Sequence, residues 1–360
     1  MKRSGFLWYS ICMNAPLKRG TDSEGNTMKS NEIEIMRTFL CALDGGRPAP
    51  LCSEIKINDE DAIYGIIQKL VAAALEDTKS KEGNFAEGDY LDEAVTDDPD
   101  DLGAFAETVS NTVFELVSGS TEVRSGSGIF VFCIVEEQPL VGFFKMNYRE
   151  TYICKADEDD KVNWAIVSNA LPKASIRECE YFLINILDRT VRMSDSEFFI
   201  GGETKVNYLA DRILKLRAKR SEKEKVDIIR DTTIETIREC YKPEEVAEKV
   251  MSYRKEVAEH VGQTGRVSVA KIEQAVFSDD DEAKAAYRSK LEHREIAREP
   301  MEVSRKTERA FQRKQKIVTD NGIELLVPVE FLKNADIVEY QKDEEGNITI
   351  LLKDIHTIKA

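Results

Sequence analysis

Two stretches near the start of the chain repeat apolar positions at helical spacing. Between residues 58 and 77, Ile63, Ile66, Ile67, Leu70, Val71, Ala74 and Leu75 recur every three to four residues. This predicts an amphipathic helix, with Asn58 or Asp59 as its cap. Between residues 99 and 118, Leu102, Phe105, Ala106, Val109, Val113, Leu116 and Val117 do the same, behind Pro99, which suits a first helical turn. The acidic, glycine-bearing sequence 77–98 reads as a solvated loop, because its carboxylates lack the alternating spacing of a calcium-binding loop.

The period then shortens. Residues 128–136 (GIFVFCIVE) and 140–146 (LVGFFKM) are β-rich runs separated by a few residues, which predicts a hairpin. Residues 151–155, 164–168 and 181–187 read as further strands. From Glu203 the pattern is helical over 203–219, 222–240, 243–260, 268–277, and once or more within 281–299. Pro243 suits a first helical position and is followed by Glu244 and Glu245, while Ser268 reads as an N-cap. A basic helical stretch, 304–318, follows Pro300. The β-rich runs 323–327, 337–341 and 348–352 close the chain, with Gly346-Asn347 as turn residues between the last two. The expected fold class is α+β: a mostly antiparallel sheet with packed helices, a helix-rich middle and a small C-terminal β element. The expected divisions are a tail over 1–30, an acidic domain over 31–200, a helical domain over 201–320 and a β-meander over 321–360 that packs on the rest.

Composition narrows the chemistry. The chain has 360 residues, of which 42% are hydrophobic, so it can bury a sizeable core. No run approaches the roughly 18 apolar residues of a membrane helix. Lys2 and Arg3 precede a short apolar run, 5–13, that looks superficially like a signal peptide but lacks a small-residue cleavage pattern. A disordered tail is expected there, or a start codon assigned upstream of Met28. The seven cysteines (Cys12, Cys41, Cys52, Cys133, Cys154, Cys179 and Cys240) are scattered without a C-x-x-C pair, so a reduced, cytoplasmic chain without a disulfide framework is expected. His260, His293 and His356 have no ligand partners at metal-binding spacing. Neither a glycine-rich phosphate loop nor a nucleophile elbow is present, and Gly201-Gly202 reads as a plain turn. No enzyme, no cofactor and no metal are expected.

Charge changes the picture once more. The formal net charge is -16, yet residues 1–200 carry 35 acidic and 20 basic side chains against 32 and 31 in residues 201–360. At 100° per residue, Arg212, Lys215, Lys219 and Lys223 fall within a sector of about 80°, provided one helix continues past Ser221. Arg305, Arg309, Arg313 and Lys316 fall in a similarly narrow sector. Residues 287–316 hold ten Lys/Arg and five Glu. Long cationic arms on one side are what contact with successive phosphates requires. The competing reading is a solvated face laced with ion pairs, such as Glu302 with Lys306 four residues later.

The order of these parts resembles the NdpA family of nucleoid-associated proteins. Residues 127–146 (SGIFVFCIVEEQPLVGFFKM) resemble its central hairpin, 181–199 (YFLINILDRTVRMSDSEFF) the strand-then-acidic passage after it, and 322–358 its C-terminal element. The helix-rich stretch 243–277 fits the same plan. The resemblance implies a bacterial cytoplasmic protein located at the nucleoid that binds double-stranded DNA non-specifically and without catalysis, and it transfers no residue role. The eight cations named above are therefore the expected DNA contacts. An acidic scaffold for a DNA-processing protein is the alternative. A homodimer is expected, with the C-terminal β element as the candidate for pairing.

Overall fold

A computed structural model describes residues 32–58, 61–85, 91, 94–156, 162–200, 204–313, 315–318, 321–328, 331, 336–343 and 348–357. The expected tail over 1–30, Gly201-Gly202 and the Gly346-Asn347 turn lie outside these residues. The chain is α+β, as its periodicities predict. In order, the first half forms β1 (Ile33–Leu43), β2 (Leu51–Glu54), α1 (Ala62–Leu75), β3 (Lys81–Asn84), α2 (Leu102–Gly119), β4 (Gly126–Val135), β5 (Gln138–Asn147), β6 (Arg149–Ala156), β7 (Val162–Ala170), β8 (Cys179–Asn185), β9 (Thr190–Ser194) and β10 (Glu197–Ile200).

Seven of these strands make one antiparallel sheet, in the order β2-β1-β4-β5-β8-β9-β3. Each face is covered, which is why the central strands read as unbroken apolar runs rather than alternating ones. Phe130, Phe132, Val141, Phe143, Phe182 and Ile184 point to the α2 side, where Phe105 meets Phe130 and Phe182 edge-on. Ile129, Val131, Cys133, Leu140, Phe144, Tyr181 and Leu183 point to the α1 side, against Ile67, Leu70 and Val71. Glu136 and Glu137, both at positive φ (49° and 66°), form the two-residue turn between β4 and β5.

Four expectations for residues 32–219 need correction. α1 starts later than its pattern suggests, with Asp61 at the cap position and no side-chain cap bond. The acidic loop 77–98 contains β3, whose sequence KEGN has no strand preference and which is held by its pairing with β9. The cysteines are not all reduced: Cys41 and Cys52 form a disulfide. They are eleven residues apart in sequence but directly opposite in the β1–β2 register, a proximity that sequence spacing alone does not report. Finally, the predicted helix 203–219 is absent. There β11 (Thr204–Asn207) pairs with β10 and leads into a π-helical turn, Tyr208–Leu214, that buries Tyr208, Leu209, Ala210, Ile213 and Leu214 in the α2-side core. Lys215, left-handed at φ 53°, ends it.

The second half continues with α3 (Glu222–Cys240), α4 (Pro243–Thr264), β12 (Arg266–Val267), α5 (Val269–Phe277), α6 (Asp281–His293), β13 (Met301–Glu302), α7 (Arg305–Gln312), β14 (Gln315–Val318), β15 (Glu324–Val327), β16 (Val338–Lys342) and β17 (Ile348–Leu352). Ser221 and Glu224 form a capping box at the start of α3, and Ser268 caps α5 by accepting the Lys271 N–H. Ile229, Ile237, Val257, Val261, Ile272, Phe277 and Tyr287 form a separate third core. The last strands form two separate hairpins, β14–β15 and β16–β17. No helix among the described residues is long and apolar enough to cross a membrane.

Candidate nucleic-acid interface

The first cationic row does not lie on one helix. Arg212 is exposed on the π-helical turn, and Lys215 is exposed at its left-handed end. Lys219 lies in extended chain against β3, its N–H bonded to the Glu82 carbonyl and its ammonium 3.1 Å from Asn84 Oδ1. Lys223 lies in the first turn of α3, its N–H bonded to the Thr78 carbonyl and its ammonium paired with Asp227. The helical projection fails because the apolar residues of 208–214 are drawn under the sheet.

The second row is half kept. α7 turns Phe311 toward the third core and presents Arg305 and Arg309 outward, one turn apart. The helix ends at Gln312, so Arg313 is its C-cap, and Lys316 belongs to β14, opposite Leu326. The side chain of Lys316 lies outside the described residues. The end of the first row lies near the start of the second, since Glu222, next to Lys223, accepts from the N–H of Ser304, next to Arg305, at 3.1 Å and from its hydroxyl at 2.9 Å. That junction borders a cleft of about 60 Å3 whose walls include Glu76, Asp77, Glu82 and Glu222 against the single cation Arg192. Carboxylates therefore surround the place where the rows converge.

Most other cations of 287–316 hold helices together. Arg288 grips Glu273 of α5 with two bonds, 2.7 and 2.5 Å. Lys290 reaches Glu235 and Glu239 of α3, while Arg294 reaches Glu235 and Thr232. Glu302 pairs with Arg266, not Lys306, because it lies on β13 opposite that residue. Arg288 holds the Glu273 carboxyl below its ordinary range. Among the described residues, Lys306, Arg309 and Arg313 are exposed and make no ion pair. On α7 Lys306 and Arg309 lie about 60° apart, with Arg305 extending the sector to about 100° and Arg313 following at the C-cap.

Sequence reading missed a buried charge cluster inside the sheet. Lys145 on β5 and Glu180 on β8 stand directly opposite each other, both buried, with Nζ 3.2 Å from Oε2. The Tyr208 hydroxyl donates to the same Glu180 oxygen at 2.7 Å, and Lys145 lies over the Tyr208 ring. Burial lowers the Lys145 pKa against the pull of Glu180. Asp195 nearby accepts the Ala210 N–H at 3.0 Å, yet burial pushes its carboxyl up to about 7. The readable signal was one charge inside each apolar strand, LVGFFKM and CEYFLIN. The cluster joins the sheet to the π-helical turn and closes over its own charges, so it can fix register but offers no open reaction site. No group of three or more potential metal ligands occurs among the described residues.

Compared with protein-family models the chain matches none, and a search of curated proteins finds no match.

Proposed function

We propose that this chain is a non-catalytic, nucleoid-associated protein of the NdpA kind that binds double-stranded DNA through backbone phosphates, with α7 as the contact. The observation that carries this reading is the exposed pair Lys306 and Arg309, with Arg305 beside it, on a helix whose only acid is Glu308, and the exposed Arg313 at that helix's C-cap. Cations on one side of a helix neutralise phosphates without reading bases, so sequence preference is slight. The rows as projected from sequence offered about six phosphate contacts; the folded chain offers three or four. The slope of log K against log salt is then roughly -3 rather than -5. Fluorescence anisotropy with a short duplex tests this on the full chain. Wild type gives that slope, and K306A/R309A/R313A brings it close to zero while leaving the melting temperature unchanged. A wild-type slope near zero removes the reading.

A second reading is favoured by the acidity of residues 1–200 and by the carboxylate-lined cleft: a scaffold holding a basic, DNA-processing protein. On that reading the pure chain ignores duplex and retains it only with the partner present.

A further inference from the structure

We infer that the β6–β7 ribbon is a homodimer interface, closed face to face by the same ribbon of a second copy of this chain. The ribbon is an insertion. β5 and β8 are adjacent antiparallel strands that a short turn could join, yet the chain leaves the sheet after Asn147 and returns at Cys179, with Arg149 paired to Glu178 at the base. No described ribbon residue belongs to any of the three cores.

Its two faces differ. Register places Tyr152 opposite Ile166, Cys154 opposite Trp164 and Ala156 opposite Val162, so these six side chains share one face. Exposure there is high: Trp164 78%, Val162 68%, Tyr152 67% and Ile166 60%. The other face carries Thr151, Ile153 and Lys155 opposite Val167, Ala165 and Asn163, and there the apolar members are half-buried. The more apolar face is thus the more exposed one, the reverse of what an isolated two-stranded ribbon in water can sustain.

Area and charge identify the occupant. The four large side chains expose on the order of 500 Å2 per copy. Two copies would cover roughly 1,000 Å2, the lower end of a specific interface, which matches micromolar self-association. Between Tyr152 and Ile166 this face has no charged residue among those described. These six side chains therefore set no like charges of their own against each other when two chains of charge -16 meet, although the sequence between the two strands, 157–161, carries four acids and one lysine. The same lack of cations excludes a phosphate backbone as occupant. Two-fold pairing makes the patch self-complementary.

Light scattering on the full chain between 1 and 50 μM tests the inference. Wild type is expected to move toward twice its 40.8 kDa mass with concentration. W164E/I166E is expected to stay monomeric throughout and to melt as wild type does. Lys155→Glu, on the opposite face, is expected to keep the dimer. Raising salt screens the repulsion between copies, so the dimer holds or strengthens where DNA binding weakens. A wild-type monomer at 50 μM overturns the inference and leaves the face to a different protein. A W164E/I166E dimer also overturns it and moves the interface elsewhere, the C-terminal hairpins included.

Discussion

In the sheet body the decisive charges are inside: Lys145 and Glu180 face each other across β5 and β8, with Tyr208 on the same carboxylate and Asp195 close by. In the helical half they lie along seams: Glu273 holds Arg288, and Glu235 holds Lys290 and Arg294, each with one side open to water. The sheet body can carry a large acid excess because its surplus charge is solvated while the buried pair is matched. The helical half is nearly neutral by count, yet Arg288 and Lys290 of α6 are committed to neighbouring helices, whereas Lys306 and Arg309 of α7 are exposed and make no ion pair. Local composition thus overstates the charge available for binding. What matters is how much of it the fold has already used.

Breaking the inner pair should have the largest effect. Lys145→Met leaves Glu180 buried without its counter-charge, a loss of about 3–5 kcal/mol in urea unfolding. K145M/E180L, which removes both charges, should recover most of that loss. If K145M costs less than about 1 kcal/mol, the contrast between an interior pair and seam pairs disappears.

Asp195 sharpens the comparison through pH. Its folded pKa, about 7, lies above the ordinary 3.8, and burial is the largest cause. The folded chain therefore binds a proton more tightly than the unfolded chain does. The associated stability is fully present below pH 3.8 and falls as pH rises toward 7. Asp195→Asn cannot ionise and escapes that fall, so the variant should gain on wild type as pH rises from 4 to 7. The gain should level off above 7 at no more than about 4 kcal/mol. A gap between variant and wild type that stays constant with pH contradicts this account.

Legibility followed periodicity. α1, α2 and the β4–β5 hairpin stood out because their apolar repeats match the faces they bury. β3 did not, since KEGN owes its strand to a partner more than a hundred residues away. Tyr152, Trp164 and Ile166 read as ordinary strand residues, because sequence does not distinguish an apolar face that is covered from one that is open. The cationic rows were drawn on helices that stop short, at Leu214 and Gln312. A row of charges at constant angle has meaning only while the helix continues, and both breaks fall where apolar residues are taken up by a core or strand pairing takes over.

The seam pairs give the smallest effect, and with the opposite sign of pH dependence. Glu273 is nearly buried, and the bidentate grip of Arg288 lowers its pKa from the ordinary 4.5, with Arg298 adding to the pull at 3.7 Å. Here the folded chain binds the proton less tightly. The pair's stability is present above pH 4.5 and is lost as pH falls through the lowered folded value. Glu273→Gln should cost about 1 kcal/mol at neutral pH, because Arg288 is half exposed and water screens the pair. That cost should shrink below pH 4 and in molar salt, whereas the cost of K145M should persist in salt because the interior pair is screened far less. Chemical unfolding of both variants at low and high salt reads the difference directly. Equal salt sensitivity would mean that water reaches Lys145 as freely as it reaches the helix seams, contrary to its complete burial.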